Sequence, residues 1–381
     1  MTTEFKNLGI IGYDAVRFVS LDLDRSKDFY VNKLDMAITS ETTPNFEEAH
    51  GYKGLIFSAR NINMEVIQST APTSAPALHL KNYAAGISNV DFLVQDIEFA
   101  FNTLEERGAT IIDAIAVTEE DGKTYKRFEI ATPLGNTTYG FVERKGFDTH
   151  APGWNKVQKG GSNKFDLAGI DHLTSNMRTL KPFIDWCKTV MGFKQFWNIE
   201  FHTSDIDPTR QSGSGLKSIV VWDEESGVKF ANNEPARPFF NNSQIQIYLD
   251  DFGGPGVQHA AFGIRDIVTA VPELREAGVE FLHTPQNYYD AAPARLAEQN
   301  VSKIDEDYSV LSDTGILIDG KEEKYLLQIF MKEAAQLYEQ PKAGPFFIEL
   351  IQRKGDRGFG GGNFRALFES IEREQTERIQ G

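Results

Sequence analysis

The amino-acid sequence repeats itself at long range. Tyr13-Asp14-Ala15-Val16 corresponds to Ile170-Asp171-His172-Leu173, GISNVDFLVQDI from Gly86 corresponds to GVQHAAFGIRDI from Gly256, and VERKG ending at Gly146 corresponds to IQRKG ending at Gly355. A chain written this way is expected to fold as two copies of one plan. Superposing the copies sets Ala15 against His172, Asn89 against His259 and Gly140 against Glu349. Two imidazoles and a carboxylate, all competent metal ligands, hold equivalent strand positions in the second copy. The first copy has three residues there that cannot bind a metal.

Each half reads as two strand-helix-strand units. DAVRFVSL alternates as a strand, DRSKDFYVNKL has helical spacing with Asp24 as its cap, and GYKGLIFSARNINMEVIQS gives two strands. ISNVDFLV, the helix DIEFAFNTLEERG with Gly108 at its C-cap, and three strands turning at Asp121-Gly122 complete the half. The second half follows in the same order, with GIDHLTSNM, the helix LKPFIDWCKTVMGF, strands at SGLKSIVVWD, GVKFANNEP and SQIQIYL, then GVQHAAFGI, the helix DIVTAVPELREAG, KYLLQIFMK and PFFIELIQRK. Segment 146–164 reads as a polar linker and 284–319 as an irregular loop covering the domain. The expected fold is α+β, with duplicated βαβββ modules paired into two open-barrel domains over 1–150 and 165–381. Strand residues alternate faces, so ligands on separate strands converge only if each points into the shared cavity.

A length of 381 residues fits two such domains. The 55 acidic residues exceed the 39 basic ones, and a net charge of −16 argues against nucleic acid or an anionic membrane as partner. Cys187 is the only cysteine, which excludes an internal disulfide and suits a reducing compartment; beside no histidine, it reads as a small buried side chain. No signal-like N-terminus and no run of about 20 apolar residues is present, so a cytoplasmic location is expected.

The three ligand candidates are far apart in sequence and form no local motif. Two imidazoles and one carboxylate on one face of a metal leave positions open, as in non-haem Fe(II) oxygenases; zinc is also compatible. Glu349 lies among Phe346, Phe347, Ile348, Leu350 and Ile351, where an ionised carboxylate is costly unless paired or coordinating. The other five histidines, His50, His79, His150, His202 and His283, read as structural.

GIDHLT, SIVV, NNEP, SQIQIYL, GPGVQHAAF, YLLQIF and above all FFIELIQRKGDRGFGGGNF resemble the catalytic half of the 4-hydroxyphenylpyruvate dioxygenase family, in the vicinal oxygen chelate superfamily. The first half resembles that family's metal-free N-terminal domain. The resemblance implies that His172, His259 and Glu349 hold one Fe(II) per chain. It implies 4-hydroxyphenylpyruvate, a 2-oxo acid, and O2 as substrates, homogentisate and CO2 as products, and a place in tyrosine and phenylalanine breakdown. Gln258, Asn233 and Gln244 would act on the substrate in catalysis, Ser218 and Gln328 would help to orient it, and Phe330, Phe347, Phe359 and Phe364 would wall its ring. Phe364, Leu367, Phe368 and Ile371 follow i, i+3, i+4, i+7 and would form a gating helix after the glycines. FGGGNF lacks the Lys-Ser/Thr of a phosphate loop. Ala231-Asn232-Asn233-Glu234-Pro235 departs from the family's Pro-Ile-Asn-Glu-Pro and points to a looser, more polar wall, and the connection KEAAQLYEQPKAGP is longer than expected. The alternatives are hydroxymandelate synthase, which hydroxylates the benzylic carbon of the same substrate, and a non-catalytic ligand-sequestering protein. The first half is expected to contribute packing or a subunit interface in a homodimer or homotetramer.

Overall fold

The structure is a computed structural model that describes residues 7–202, 215–237 and 240–364. The first half forms one nine-stranded sheet from β1 (Ile10–Val19), β2 (Ala37–Thr42), β3 (Tyr52–Ala59), β4 (Ile62–Ser69), β5 (Gly86–Val94), β6 (Ile111–Glu120), β7 (Lys123–Ala131), β8 (Thr138–Lys145) and β9 (Trp154–Gly160), in the order β6-β7-β8-β5-β1-β4-β3-β2-β9. The second forms one eight-stranded sheet from β10 (Leu167–Asn176), β11 (Lys194–His202), β12 (Gly215–Trp222), β13 (Lys229–Pro235), β14 (Gly256–Ile264), β15 (Leu317–Lys321), β16 (Lys324–Phe330) and β17 (Phe347–Lys354), in the order β11-β12-β13-β10-β14-β17-β16-β15. Read from the opposite edge, the second order is the first without β9. In both sheets a central antiparallel pair, β1 with β5 and β10 with β14, is flanked by parallel neighbours. The registers agree residue for residue: Ala15 faces Asp91 as His172 faces Ala261, and Asp91 faces Gly140 as Ala261 faces Glu349.

Turn chemistry sets the boundaries. Asp121 and Gly122 both take positive φ between β6 and β7, and Gly108 and Gly278 do so just beyond their helices. The first helix of each half, Leu23–Lys27 and Leu180–Trp186, continues into a π-helical turn, at Asp28–Lys33 and Cys187–Met191, so the duplication extends to an uncommon local geometry.

Several expectations are corrected. The first helix is capped by Asp22, whose side chain accepts from the Asp24 and Arg25 amides, and not by Asp24. SQIQIYL is helical: Ser243 caps Gln244–Phe252, Gly253 ends it in the left-handed region, and Ile245, Tyr248, Leu249 and Phe252 fall on one buried face. Segment 146–164 contains β9, which pairs with β2 and buries little beyond Trp154. An edge strand so exposed, studded with Lys156 and Lys159, carries a loop-like composition. Segment 284–319 is also ordered, as the helices Gln286–Glu298 and Tyr308–Thr314 leading into β15. The Tyr288 hydroxyl accepts from the Ile318 amide and Arg295 Nη2 donates to the Ile318 carbonyl, which fixes the first of these helices against the sheet. Among the described residues no helix is long and apolar enough to cross a membrane.

The halves meet through aromatic packing. Phe230, at the start of β13, has its ring 6.0 Å from Tyr13, 6.2 Å from Phe92 and 5.5 Å from Tyr139, and the Tyr13 hydroxyl donates to the Lys229 carbonyl at 2.7 Å. The first sheet therefore buttresses the strand that carries Asn233.

The space in the first half that corresponds to the ligand positions is filled with charge. Arg17, Glu65, Asp91, Arg127 and Glu129 stand in register where the second half has Thr174, Ala231, Ala261, Gln328 and Phe330. Arg17 pairs with Glu65 at 3.0 Å, His150 approaches Glu65 at 3.4 Å, and Arg127 bridges Asp91 and Glu129, each at 2.8 Å. A Cβ at Gly140 would run into the Asp91 carboxylate and the Arg127 guanidinium. Burial works to raise the Glu65 pKa, but Arg17 and His150 outweigh it and hold the carboxyl well below the usual range.

Two outcomes are expected. Glu65→Gln leaves Arg17 without its counter-charge and costs about 3–5 kcal/mol in urea unfolding. Because the folded pKa is depressed, the contribution of Glu65 is complete above the unfolded value of about 4.3 and is lost as the pH falls through the folded one, so variant and parent converge in acid. Secondly, the triple change Ala15→His, Asn89→His and Gly140→Glu adds no second metal per chain in elemental analysis, because Asp91 and Arg127 already occupy the space.

Candidate metal centre

His172 on β10, His259 on β14 and Glu349 on β17 converge although no two are adjacent in sequence. Their exposures are 2%, 5% and 1%. Nε2 of His172 lies 3.6 Å and Nε2 of His259 3.3 Å from Glu349 Oε2, and the three ligating atoms fall within 4.8 Å of one another. β14 lies between β10 and β17, so three strands of one sheet each contribute one ligand.

The opposite end of each ligand is held. His172 Nδ1–H donates to Asp171 Oδ1 at 2.9 Å, and His259 Nδ1–H donates to Gln258 Oε1 at 3.2 Å. A carboxylate and an amide oxygen can only accept, so both Nδ1 atoms carry a proton and Nε2 is the atom that each imidazole would offer to a metal. Gln328 Nε2 donates to Glu349 Oε1 at 2.7 Å, leaving Oε2 toward the imidazoles. Lone pairs of two imidazoles and a carboxylate, aimed at one point with their outer atoms engaged, are a donor set suited to a divalent transition metal. Asp171 is itself clamped by Arg353, whose Nε and Nη2 donate at 2.6 and 2.7 Å, with Lys229 Nζ at 3.3 Å.

The electrostatics agree with that reading. Burial alone would raise the Glu349 pKa, but the charge and hydrogen bond of His172 and the hydrogen bond of His259 bring it down to about 2. Burial lowers His172, yet Glu349 and Asp171 outweigh it and its pKa stands above the ordinary value; for His259 burial prevails and the pKa falls. Without a metal, a proton on His172 balances the buried carboxylate.

A cavity of about 450 Å3, its mouth included, opens on the triad. Asn233, Gln244, Gln258, Gln328, Phe330, Phe359 and Phe364 line it. Ser218 does not; it is fully buried beside the cavity, opposite Asn233 in the β12–β13 register. Phe347 also lies behind the wall, stacked on His259 with centroids 4.8 Å apart and planes at 24°. Phe359 meets His172 edge-on at 4.8 Å. Among the described residues, Ser218 Oγ and Asn233 Oδ1 are buried with no hydrogen-bond partner. Leu367, Phe368 and Ile371 of the expected gating helix lie outside the described residues. Ala231 does not make the wall more polar: it is buried in a small apolar cluster with Val220 and Phe359, and Asn232 turns its amide to the Ile219 and Phe230 carbonyls.

Several contributors escaped the sequence reading. Thr174, Leu216 and Ile245 complete the cavity wall. Asn363, within the glycine-rich run, donates to Gln328 Oε1 at 2.8 Å and accepts from the Tyr288 hydroxyl at 2.5 Å, while the Gly362 amide donates to Asp319. The Asp171–Arg353 pair had a signal that could have revealed it: Asp14 and Arg144, its counterparts in the repeat, also form an ion pair.

Asp171→Asn is expected to weaken metal binding by about 10- to 100-fold in calorimetric titration of stripped protein, since the imidazole loses its oriented partner. Metal uptake displaces the proton from His172. Affinity therefore falls as the pH drops through the raised His172 pKa, and titration in buffers of different ionisation enthalpy reports the released proton.

Residues 12–138 and 169–294 match the family model of the Glyoxalase/Bleomycin resistance protein/Dioxygenase superfamily, one match in each half. The chain is 36% identical over 314 residues to a 4-hydroxyphenylpyruvate dioxygenase of Danio rerio, covering 79% of this chain and 74% of that protein. It is 37% identical over 309 residues to the Caenorhabditis elegans protein of the same name, covering 79% and 75%. A third relative so named, from Yarrowia lipolytica, is 30% identical over 390 residues, covering 96% and 93%. Among solved structures, a mutant 4-hydroxymandelate synthase from Streptomyces coelicolor superposes with a TM-score of 0.78 at 23% identity, covering 96% of this chain and 99% of that one, a likeness of fold. The chain belongs to the 4-hydroxyphenylpyruvate dioxygenase family of the glyoxalase and dioxygenase superfamily.

Proposed function

We propose that this chain is an Fe(II)-dependent dioxygenase that converts 4-hydroxyphenylpyruvate and O2 to homogentisate and CO2. The observation that carries this reading is the buried His172, His259 and Glu349 face, with each outer atom engaged, in a chain more than one third identical to proteins named 4-hydroxyphenylpyruvate dioxygenase. Residues 165–381 form the catalytic unit and residues 1–150 its metal-free support. Ferrous iron, when bound by the triad, supplies the O2 chemistry that oxidatively decarboxylates a 2-oxo acid.

The residues of the chain bind and orient. His172, His259 and Glu349 would hold the metal, and the cavity on which they open would receive the 2-oxo acid, which brings its own reducing equivalents. Asn233, Gln244 and Gln258 present amides to the polar ends of the substrate, and the unsatisfied Oδ1 of Asn233 marks where a donor is awaited. Phe330, Phe359 and Phe364 hold the ring and exclude water. Gln328 spends its amide on Glu349 and so acts on the ligand first.

Incubation with Fe(II), 4-hydroxyphenylpyruvate and O2 is expected to yield homogentisate, with one O2 consumed for each CO2 released. Hydroxymandelate in its place would establish benzylic hydroxylation and overturn the assignment. His172→Ala is expected to abolish substrate-dependent oxygen uptake. Asn233→Ala is expected to retain the metal while lowering kcat/KM by about three- to tenfold, the cost of one lost hydrogen bond between neutral groups.

A further inference from the structure

A cavity larger than the one at the triad lies elsewhere in the molecule. It encloses about 670 Å3, mouth included, against about 450 Å3 at the metal centre, and it lies where the two halves meet. One wall is the helix Leu23–Lys27 and the π-helical turn after it, the other is segment 332–346, and Phe346, Phe347 and Ile348 at the start of β17 form the floor. Residues 332–345 of this wall are the long connection noted in the sequence. The connection is pinned across the divide: the Ala85 amide donates to the Lys342 carbonyl at 3.0 Å, and Arg25 donates to Gln340 at 2.7 Å with its guanidinium 4.7 Å from the Tyr338 ring centre. Gly344, at φ +88°, passes so close to the Ala85 carbonyl that no Cβ would fit. The cavity is thus bounded by a segment with one defined seat.

We infer that this cavity is a second small-molecule site, for a compact aromatic acid. Its interior is walled by Phe18, Phe29 and Phe346, with Phe18 and Phe346 already packed ring to ring at 5.4 Å. It is concave and lies at the junction of the two halves, a place that small-molecule sites favour. The charged residues lining it are Arg25, Lys332 and Asp22, an excess of one cation. Arg25 pairs with Asp22 at 3.4 Å and Lys332 with Glu280 at 3.2 Å, both partly exposed contacts of the kind that yield readily to a better-placed anion. An aromatic ring therefore enters the apolar end and its carboxylate remains at Arg25 and Lys332.

The position gives the site a route to the metal centre. Phe347 forms part of this cavity's wall and stacks on His259, two residues before Glu349 on the same strand. An occupant touches the ring that backs a metal ligand. The inference stands apart from the dioxygenase reading, because it rests on a different cavity and its test reads binding, not turnover.

The test uses the full chain with 1-naphthoate as probe, titrated by calorimetry and by probe fluorescence, and 1-naphthalenemethanol as its uncharged analogue. One equivalent of naphthoate is expected to bind. Leu337→Trp, which fills the cavity from its wall, is expected to weaken binding by at least tenfold; Ala334→Trp fills it from the same segment and serves if circular dichroism shows Leu337→Trp misfolded. Arg25→Ala is expected to weaken naphthoate several-fold and leave the alcohol unchanged. Absence of binding at millimolar probe, or affinity unchanged in the filled variants, overturns the site. An equal loss for acid and alcohol in Arg25→Ala overturns its preference for an acid.

Discussion

A single carboxylate, that of Glu349, sets the terms for the second half of this molecule. It is ionised, almost without solvent access, and embedded in the apolar run Phe346 to Ile351. A charge in such a place is tolerated only where hydrogen bonds and opposite charge surround it. The strand neighbours supply both: Gln328 from β16 takes one oxygen, and His172 and His259 from β10 and β14 converge on the other. Each of these is in turn held from behind, by Asp171, Gln258 and Asn363. The central strands, the glycine-rich run and the helical cover through Tyr288 are all tied to that carboxylate within a few hydrogen bonds.

Both halves retain an aspartate and an arginine at matching positions, Asp14 with Arg144 and Asp171 with Arg353, and both pairs are formed. The pair thus belongs to the frame shared by the two sheets, and the second half alone uses it to orient a histidine. A feature common to both copies is no guide to chemistry. The feature present in one copy only is.

Much of this was legible in the chain, because the repeat converts distant residues into equivalent ones. The strands bearing His172, His259 and Glu349 were located by their counterparts in the first half, and the registers of the two sheets agree. The misreadings have physical causes. Gln244–Phe252 has both strand-like composition and helical spacing, and only its cap and left-handed glycine decide between them. β9 is an edge strand whose polar face mimics a loop. Gln328 lines the cavity, and the engagement of its amide by Glu349 and Asn363 spans strand and loop and leaves no periodic trace. The cavity at Arg25 and Tyr338 was equally hidden, since two segments more than three hundred residues apart create it.

The ionic cluster in the first half bears on the routes open to this sequence. A histidine at position 15 or a glutamate at position 140 would not enter an empty socket but a network in which every cation already has its anion. A side chain added at position 140 collides with Asp91 and Arg127, and each charge removed singly strands its partner. Passage from the blank copy to a working one therefore needs several simultaneous exchanges, with unstable proteins at the intermediate steps. The two halves share a fold and a register, yet for evolution by single substitutions they stand on separate peaks.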